Sequence, residues 1–296
     1  MLTLSSSREV IAMGVHCRIE IAAPQAPLLV DSAIQLLNDL ENLWSRFRPT
    51  SDISRLNHAN GLPLHVDPRT ISLIAAMKQA NADTHGTFNP CQLPTQIAHG
   101  DSQSLRSLGN TVIPDSSELF TSLSGIQFHG TNSVSLPSHM TLDAGGIGKG
   151  FAADLIAQQA IQHGATYVCV NLGGDIRVNE TSSTPHDSPI DIMHPLQPHN
   201  VVSTISLRAG AVATSARNAR QRDGRGIHNH IMGEDTNIVG ASVIASSAIW
   251  ADVWTKHLIL ASSGLQDIES IGLAGLIVWS DGRVEKSQNW KDFEQC

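Results

Sequence analysis

Apolar and polar residues alternate from Val15 to Ile21: Val15, Cys17, Ile19 and Ile21 are apolar, and His16, Arg18 and Glu20 are polar. A period of two predicts a half-buried strand. The period changes over residues 27 to 47, where Leu29, Ala33, Leu36, Leu37, Leu40, Trp44 and Phe47 recur at helical spacing. Pro68 predicts the first turn of a second helix, which uses Ile71, Ile74 and Met77 and stops near Gly86. Residues 91 to 140 are rich in Ser, Gly and Pro and read as short strands and loops. Ala152, Leu155, Ile156 and Ala160 mark one face of a helix ending near Gly164.

Further on, Tyr167 to Val170 is a continuous apolar strand running into Asn171-Leu172-Gly173-Gly174-Asp175. Residues 180 to 190 have no periodicity and read as a loop. Val201 to Leu207, Ala211 to Thr214 and Val239 to Ala245 read as strands, and Ser246 to Ala261 as a helix. Asp281-Gly282, inside Val278 to Val284, is a hairpin signal. The elements do not follow a regular β-α-β period, and several neighbouring strands look hairpin-joined. The pattern favours an α+β fold with mixed, largely antiparallel sheets flanked by helices. No repeat or linker divides the chain, so a single compact unit of two lobes is expected.

Composition narrows the function. The chain has 296 residues, enough for a large core. Its formal charge of −8 and its scarcity of aromatics disfavour a nucleic-acid surface. Cys17, Cys91, Cys169 and Cys296 are far apart, without a C-x-x-C. A cysteine zinc site or redox pair is therefore disfavoured, and Cys17 and Cys169 read as buried thiols. No window approaches the ~18 apolar residues that a membrane span needs. The first residues lack a basic region followed by an apolar one, so a cytoplasmic protein is expected.

The densest candidate chemistry is Leu142 to Asp154, LDAGGIGKGFAAD, with four glycines in six residues and Lys149 among them. Gly146, Gly148 and Gly150 leave backbone N–H groups uncovered, and a helix start adds partial positive charge. Such a loop suits phosphate or pyrophosphate. It fails the Walker A spacing, because Gly150 follows Lys149 and Asp143 stands where a glycine should. It also fails the Rossmann spacing. A glycine-rich turn without a ligand is the competing reading. The paired glycines at Gly173-Gly174 offer a second close-approach turn, or an ordinary tight one.

Asp252 lies in a mostly apolar helix, where a carboxylate needs a partner or a metal. Lys256, four residues on, is the simplest partner. His228 and His230 would share a strand face near Arg217, Arg220 and Arg222, without an obvious third zinc ligand. No G-x-S-x-G supports a serine hydrolase.

Taken in order, the motifs resemble the ApbE-like FAD:protein FMN transferases. The resemblance covers nearly the whole chain. It includes Met13-Gly14, Trp44 to Pro49, Ser51 to Asn57, Gly86 to Pro90, Asp143 to Asp154, Val170 to Asp175, Ala213 to Ser215, His230-Ile231 and Ala251-Asp252. It implies one domain over residues 1–296, with FAD in a cleft between two intimate lobes. It also implies transfer of the FMN half of FAD to a threonine or serine of a partner flavoprotein, with release of AMP and help from Mg²⁺. Met13, Phe47, Thr87, Phe88, Asn89, Asp143, Lys149 and Ile231 would bind FAD. His230 would act as a base or positioning group, with Asp252 beside it in the catalytic set. Gly146, through its carbonyl, Asp252 and Thr255 would hold the metal.

Three positions depart from the family pattern. Phe47 replaces a tyrosine and Asn89 an aspartate. Lys256 stands where the A-D-x-x-x-T pattern has its threonine, and Thr255 is one place early. An ammonium has no lone pair for Mg²⁺. The sequence therefore also admits an FAD-binding protein, or an FAD pyrophosphate hydrolase, without transferase activity.

Overall fold

The computed structural model describes residues 4–103, 109–181, 189–217, 237–261 and 264–295. The chain divides into two units. The first comprises Met1–Ile11, Val15–Leu36 and Lys149–Cys296, and the second comprises Ala12–Gly14 and Leu37–Gly148.

The first unit is built on an eight-stranded sheet. In chain order its strands are β1 (Leu4–Ala12), β2 (Val15–Ala23), β6 (Tyr167–Leu172), β7 (Asp175–Glu180), β10 (Ala209–Ala216), β11 (Ile238–Ala245), β12 (Ala274–Trp279) and β13 (Val284–Lys286). They neighbour one another in that same order across the sheet. The pairs from β2–β6 through β12–β13 are antiparallel. β8 (Ile190–His194) and β9 (Gln197–Ile205) form a separate antiparallel ribbon.

Successive residues of a strand point to opposite faces, and this sheet uses both. Val178, Val212, Ile244, Leu276 and Val278 pack with Ile190, Ile192 and Ile205 of the ribbon and with the buried Trp290. Ala241, Val243 and Ile277 face the other way. They pack with Trp254, Leu258 and Ile259 of helix α6 (Ala248–Leu260) and Ile268 of α7 (Leu265–Ser270). With both faces covered, the central strands read as apolar runs rather than strict alternations. β2 keeps its alternation through Ile21, and then Ala22 and Ala23 are both buried.

Helix α1 (Ala26–Trp44) buries Val30, Ala33, Leu37, Leu40 and Trp44, the three-and-four spacing seen in the sequence. The second unit holds α2 (Asp52–Asn57), α3 (Pro68–Asp83), α4 (Leu93–Ala98) and a small sheet of β3 (Leu64–His65), β5 (Ser133–Ser135) and β4 (Gln127–His129). α3 begins at Pro68 as expected, with Asp67 accepting from Arg69 N as N-cap. α4 corrects the reading of residues 91 to 140 as strands and loops alone. At six residues and without a side-chain cap, it leaves no periodic signal.

Cys17 is buried as expected, whereas Cys169 is only half-buried on β6. Among the described residues, no helix is long and apolar enough to cross a membrane.

Candidate functional site

Helix α5 (Gly148–Gln162) starts inside the glycine-rich stretch, and its first turn is locked to the start of α6. A Cβ on Gly150 would lie 2.5 Å from the Ala248 carbonyl oxygen and 2.9 Å from Ile249 Cα. Only glycine allows that approach. One turn later, Asp154 accepts from the backbone N–H of Ala248 and of Ile249, each at 2.9 Å. A helix leaves its first N–H groups without intrahelical partners. Here a carboxylate from another helix supplies them, and Ser247, the local N-cap, makes no side-chain cap bond. Arg177 Nε stands 3.2 Å from the same carboxylate. Burial raises the Asp154 pKa, against the pull of those two N–H groups and of Arg177.

This junction holds Lys149 near Asp252. Lys149 Nζ is 2.6 Å from Asp175 Oδ2 and 3.9 Å from Asp252 Oδ2. The first is a close ion pair rather than an aligned hydrogen bond. Lys256 Nζ pairs with Asp252 Oδ1 and also donates to the Asp252 carbonyl at 3.0 Å. The expected i,i+4 pairing is therefore present. The side chains of Asp175 and Asp252 are only 2% and 1% exposed, while Lys149 and Lys256 keep 22% and 14%. Burial and then the neighbouring Asp252 carboxylate push the Asp175 carboxyl up to about 6, against Lys149 and Lys256. Burial also works against the Lys149 ammonium, but Asp175 and Asp252 outweigh it and raise its pKa.

Asp175 reaches this cluster through the β6–β7 hairpin. Leu172 pairs with Asp175, leaving Gly173 and Gly174 as a two-residue turn at φ +69° and +101°. A Cβ on Gly173 would meet Val15 Cβ at 2.7 Å. These glycines therefore make the tight turn of a hairpin. Asp175 and Arg177 point to the α5 side, while Ile176 and Val178 pack on the ribbon side.

The other expected site residues group differently. In the second unit, Arg46 is buried. It binds Asp101 at 2.9 Å, stands 3.7 Å from Asp143 Oδ1, and lies 4.7 Å over the centre of the Phe47 ring. Asp143 also accepts from Gly145 N at 3.1 Å, and its own N–H donates to Pro90 O at 2.9 Å. That last bond places the Thr87-Phe88-Asn89 turn beside Asp143. Asn89 spans its loop by accepting from Cys91 N and donating to Phe120 O. Phe88 is buried and Thr87 half-buried. Gly146 lies in the turn before α5. Met13, at φ +49°, shares the β1–β2 turn with Gly14 at +77°. His230 and Ile231 lie outside the described residues, as do Arg220, Arg222 and His228.

Arg46, Asp101 and the bridging role of Asp154 went unread in the sequence. Their partners are distant in the chain, and no local spacing signals them.

The donor set does not fit a magnesium ion held by Asp252 and Thr255. Mg²⁺ demands an octahedron of oxygen donors at short range. Asp252 Oδ1 is occupied by Lys256, and Thr255 donates its hydroxyl to the Asp252 carbonyl at 2.7 Å and meets Ser215 Oγ at 2.8 Å. Among the described residues, no three His, Cys, Asp or Glu side chains form a metal-holding group.

Buried Asp175 and Asp252 are thus paired with Lys149 and Lys256 where α5 meets α6 beside an antiparallel sheet. The model of the ApbE family matches residues 13–274, and the chain belongs to that family. It is 24% identical to the FAD:protein FMN transferase of Salmonella typhimurium, over 93% of this chain and 84% of that one. It is 26% identical to the protein of the same name from Treponema pallidum, over 95% and 86%. The ApbE protein of Thermotoga maritima superposes with a TM-score of 0.84 at 22% identity, covering 99% of this chain and 100% of that one. The flavin transferase ApbE of Vibrio cholerae superposes with a TM-score of 0.77 at 21% identity and the same coverage.

Proposed function

We propose that this protein transfers the FMN half of FAD to a threonine or serine hydroxyl of a partner flavoprotein and releases AMP. The family match over residues 13–274 supports flavin transfer, and the paired ammoniums of Lys149 and Lys256 carry the reading to this chain. In the step, the acceptor hydroxyl oxygen bonds to the phosphorus of the FMN half. The bond from that phosphorus to the bridging oxygen breaks, and the oxygen leaves with AMP. The hydroxyl proton passes to a base, the role expected of His230. Phosphoryl transfer needs positioning and neutralisation of charge on the phosphoryl oxygens. Lys149 and Lys256 would bring positive charge to that task, Lys256 with one N–H left after its two bonds to Asp252. Met13, Phe47, Thr87, Phe88, Asn89, Asp143 and Ile231 are assigned to the rest of FAD on the resemblance.

The test is incubation with FAD and several flavoprotein acceptor domains, followed by mass spectrometry of the acceptor. A covalent FMN adduct on a hydroxyl residue is the expected result. Failure with every acceptor would sink the transfer. A second reading, hydrolysis of FAD to FMN and AMP, is favoured by Lys256 at the expected threonine position. AMP release without any acceptor would select it, and tight FAD binding without turnover would indicate a carrier.

A further inference from the structure

We infer that Lys256 is a tethered cation that occupies the place of a divalent metal beside Asp252, so that this protein binds its phosphoryl ligand without magnesium.

Asp175 and Asp252 are two carboxylates with almost no exposure, and Asp252 Oδ2 accepts no hydrogen bond among the described residues. Like charges at such depth require counter-charge. Two lysines provide it, one ammonium for each carboxylate, so the four charges cancel. A divalent ion added to a cancelled cluster meets two ammoniums already seated on the oxygens it needs. Lys256 is bound twice to one residue, through both the Asp252 carboxylate and its carbonyl. Leaving would strand a buried carboxylate.

Removing the ammonium reverses the balance. With a neutral residue at 256, two carboxylates face only Lys149, and the net charge of the cluster is −1. Both oxygens of Asp252 then lack a side-chain partner other than Lys149, which is 3.9 Å away. That is an oxygen-rich pocket of the sort hard cations take. The wild-type chain therefore carries a divalent-cation site closed by its own side chain.

The metal half of the test needs no flavin. Mn²⁺ titration followed by electron paramagnetic resonance is run on wild type, Lys256→Thr, Lys256→Met and Lys256→Thr/Asp252→Asn. Wild type should show no saturable site that depends on Asp252. Both single variants should show one, and the double variant should lose it. Saturable Mn²⁺ binding by wild type that Asp252→Asn abolishes would overturn the inference. So would folded single variants, checked by circular dichroism, that bind no more Mn²⁺ than wild type.

The second half rests on FAD being the ligand. EDTA should leave the FAD Kd of wild type unchanged within about twofold, whereas Lys256→Thr should weaken by about tenfold or more when metal is removed. A wild-type Kd that rises tenfold in EDTA overturns the inference. A wild type that binds no FAD under any condition removes the proposed function instead, and the Mn²⁺ comparison still decides the role of Lys256. If neither Lys256 variant folds, the response of wild type to EDTA decides it.

Discussion

Asp154 on α5 accepts from the backbone N–H of Ala248, the first residue of α6, at 2.9 Å. The two residues are 94 positions apart in the chain. The carboxylate does from outside what an N-cap does from within: it satisfies donors that the helix cannot, at its positive end. Asp154→Ala should cost about 1–3 kcal/mol, because two buried N–H groups lose their acceptor. Asp154→Asn keeps one oxygen and should cost less. Urea unfolding of the three proteins gives the order directly, and equal midpoints would refute the cap.

Gly150 guards the same joint. Gly150→Ala places a methyl 2.5 Å from the Ala248 carbonyl, which is backbone and cannot swing aside. Overpacking of this kind costs about 1–3 kcal/mol. The loss should be non-additive with Asp154→Ala, since one shift of α5 away from α6 relieves both. A double-mutant cycle with zero coupling energy would contradict a shared joint.

Asn89 explains one departure from the family pattern. It donates to Phe120 O while accepting from Cys91 N, and an ionised aspartate can do only the second. Asn89→Asp should lower stability at neutral pH by about 1 kcal/mol or more, as a carboxylate oxygen then faces a carbonyl oxygen. A melting temperature equal to that of wild type at pH 7 would show that the loop adapts.

Asp67 caps α3, and its hydrogen bond and charge pairing with Arg69 outweigh burial, so its pKa lies below the usual value. A depressed carboxylate contributes stability above its unfolded pKa of ~3.9 and loses it as pH falls through the lower folded value. Asp67→Ala should therefore cost about 0.5–2 kcal/mol at pH 7. The gap to wild type should narrow only below about pH 4. A gap that already closes between pH 7 and pH 5 would contradict this pairing.

Burial pushes the Cys91 thiol up to about 12 and, chiefly by burial, the Cys169 thiol to about 11. The thiolate is the reactive form. Iodoacetamide at pH 8 should leave both unmodified in the native protein and label both in urea, as peptide mass spectrometry would show. Rapid native labelling of Cys91 would mean that its site opens.

The parts of the structure legible in the sequence are those whose cause is local. Alternation from Val15 to Ile21, the spacing from Leu29 to Trp44, Pro68 and the Asp252–Lys256 step each concern neighbours on one element. Pairings that depend on how elements are juxtaposed were hidden. Lys149 meets Asp175 only because β7 turns that residue toward α5, and Asp154 meets Ala248 only because Gly150 lets two helices close up. Within the glycine stretch, Gly150 is required by the carbonyl of Ala248.

The turn at Gly173-Gly174 acts as a counting device. Because side chains alternate along β7, a slip of its register on β6 by one residue would exchange the two faces of the strand. Ile176 would then face the lysines, and Asp175 would be driven into the apolar layer beside the ribbon. The electrical neutrality of the buried cluster is thus written in strand register as much as in side-chain chemistry. A shift of one position there would unbalance it without altering a single charged residue.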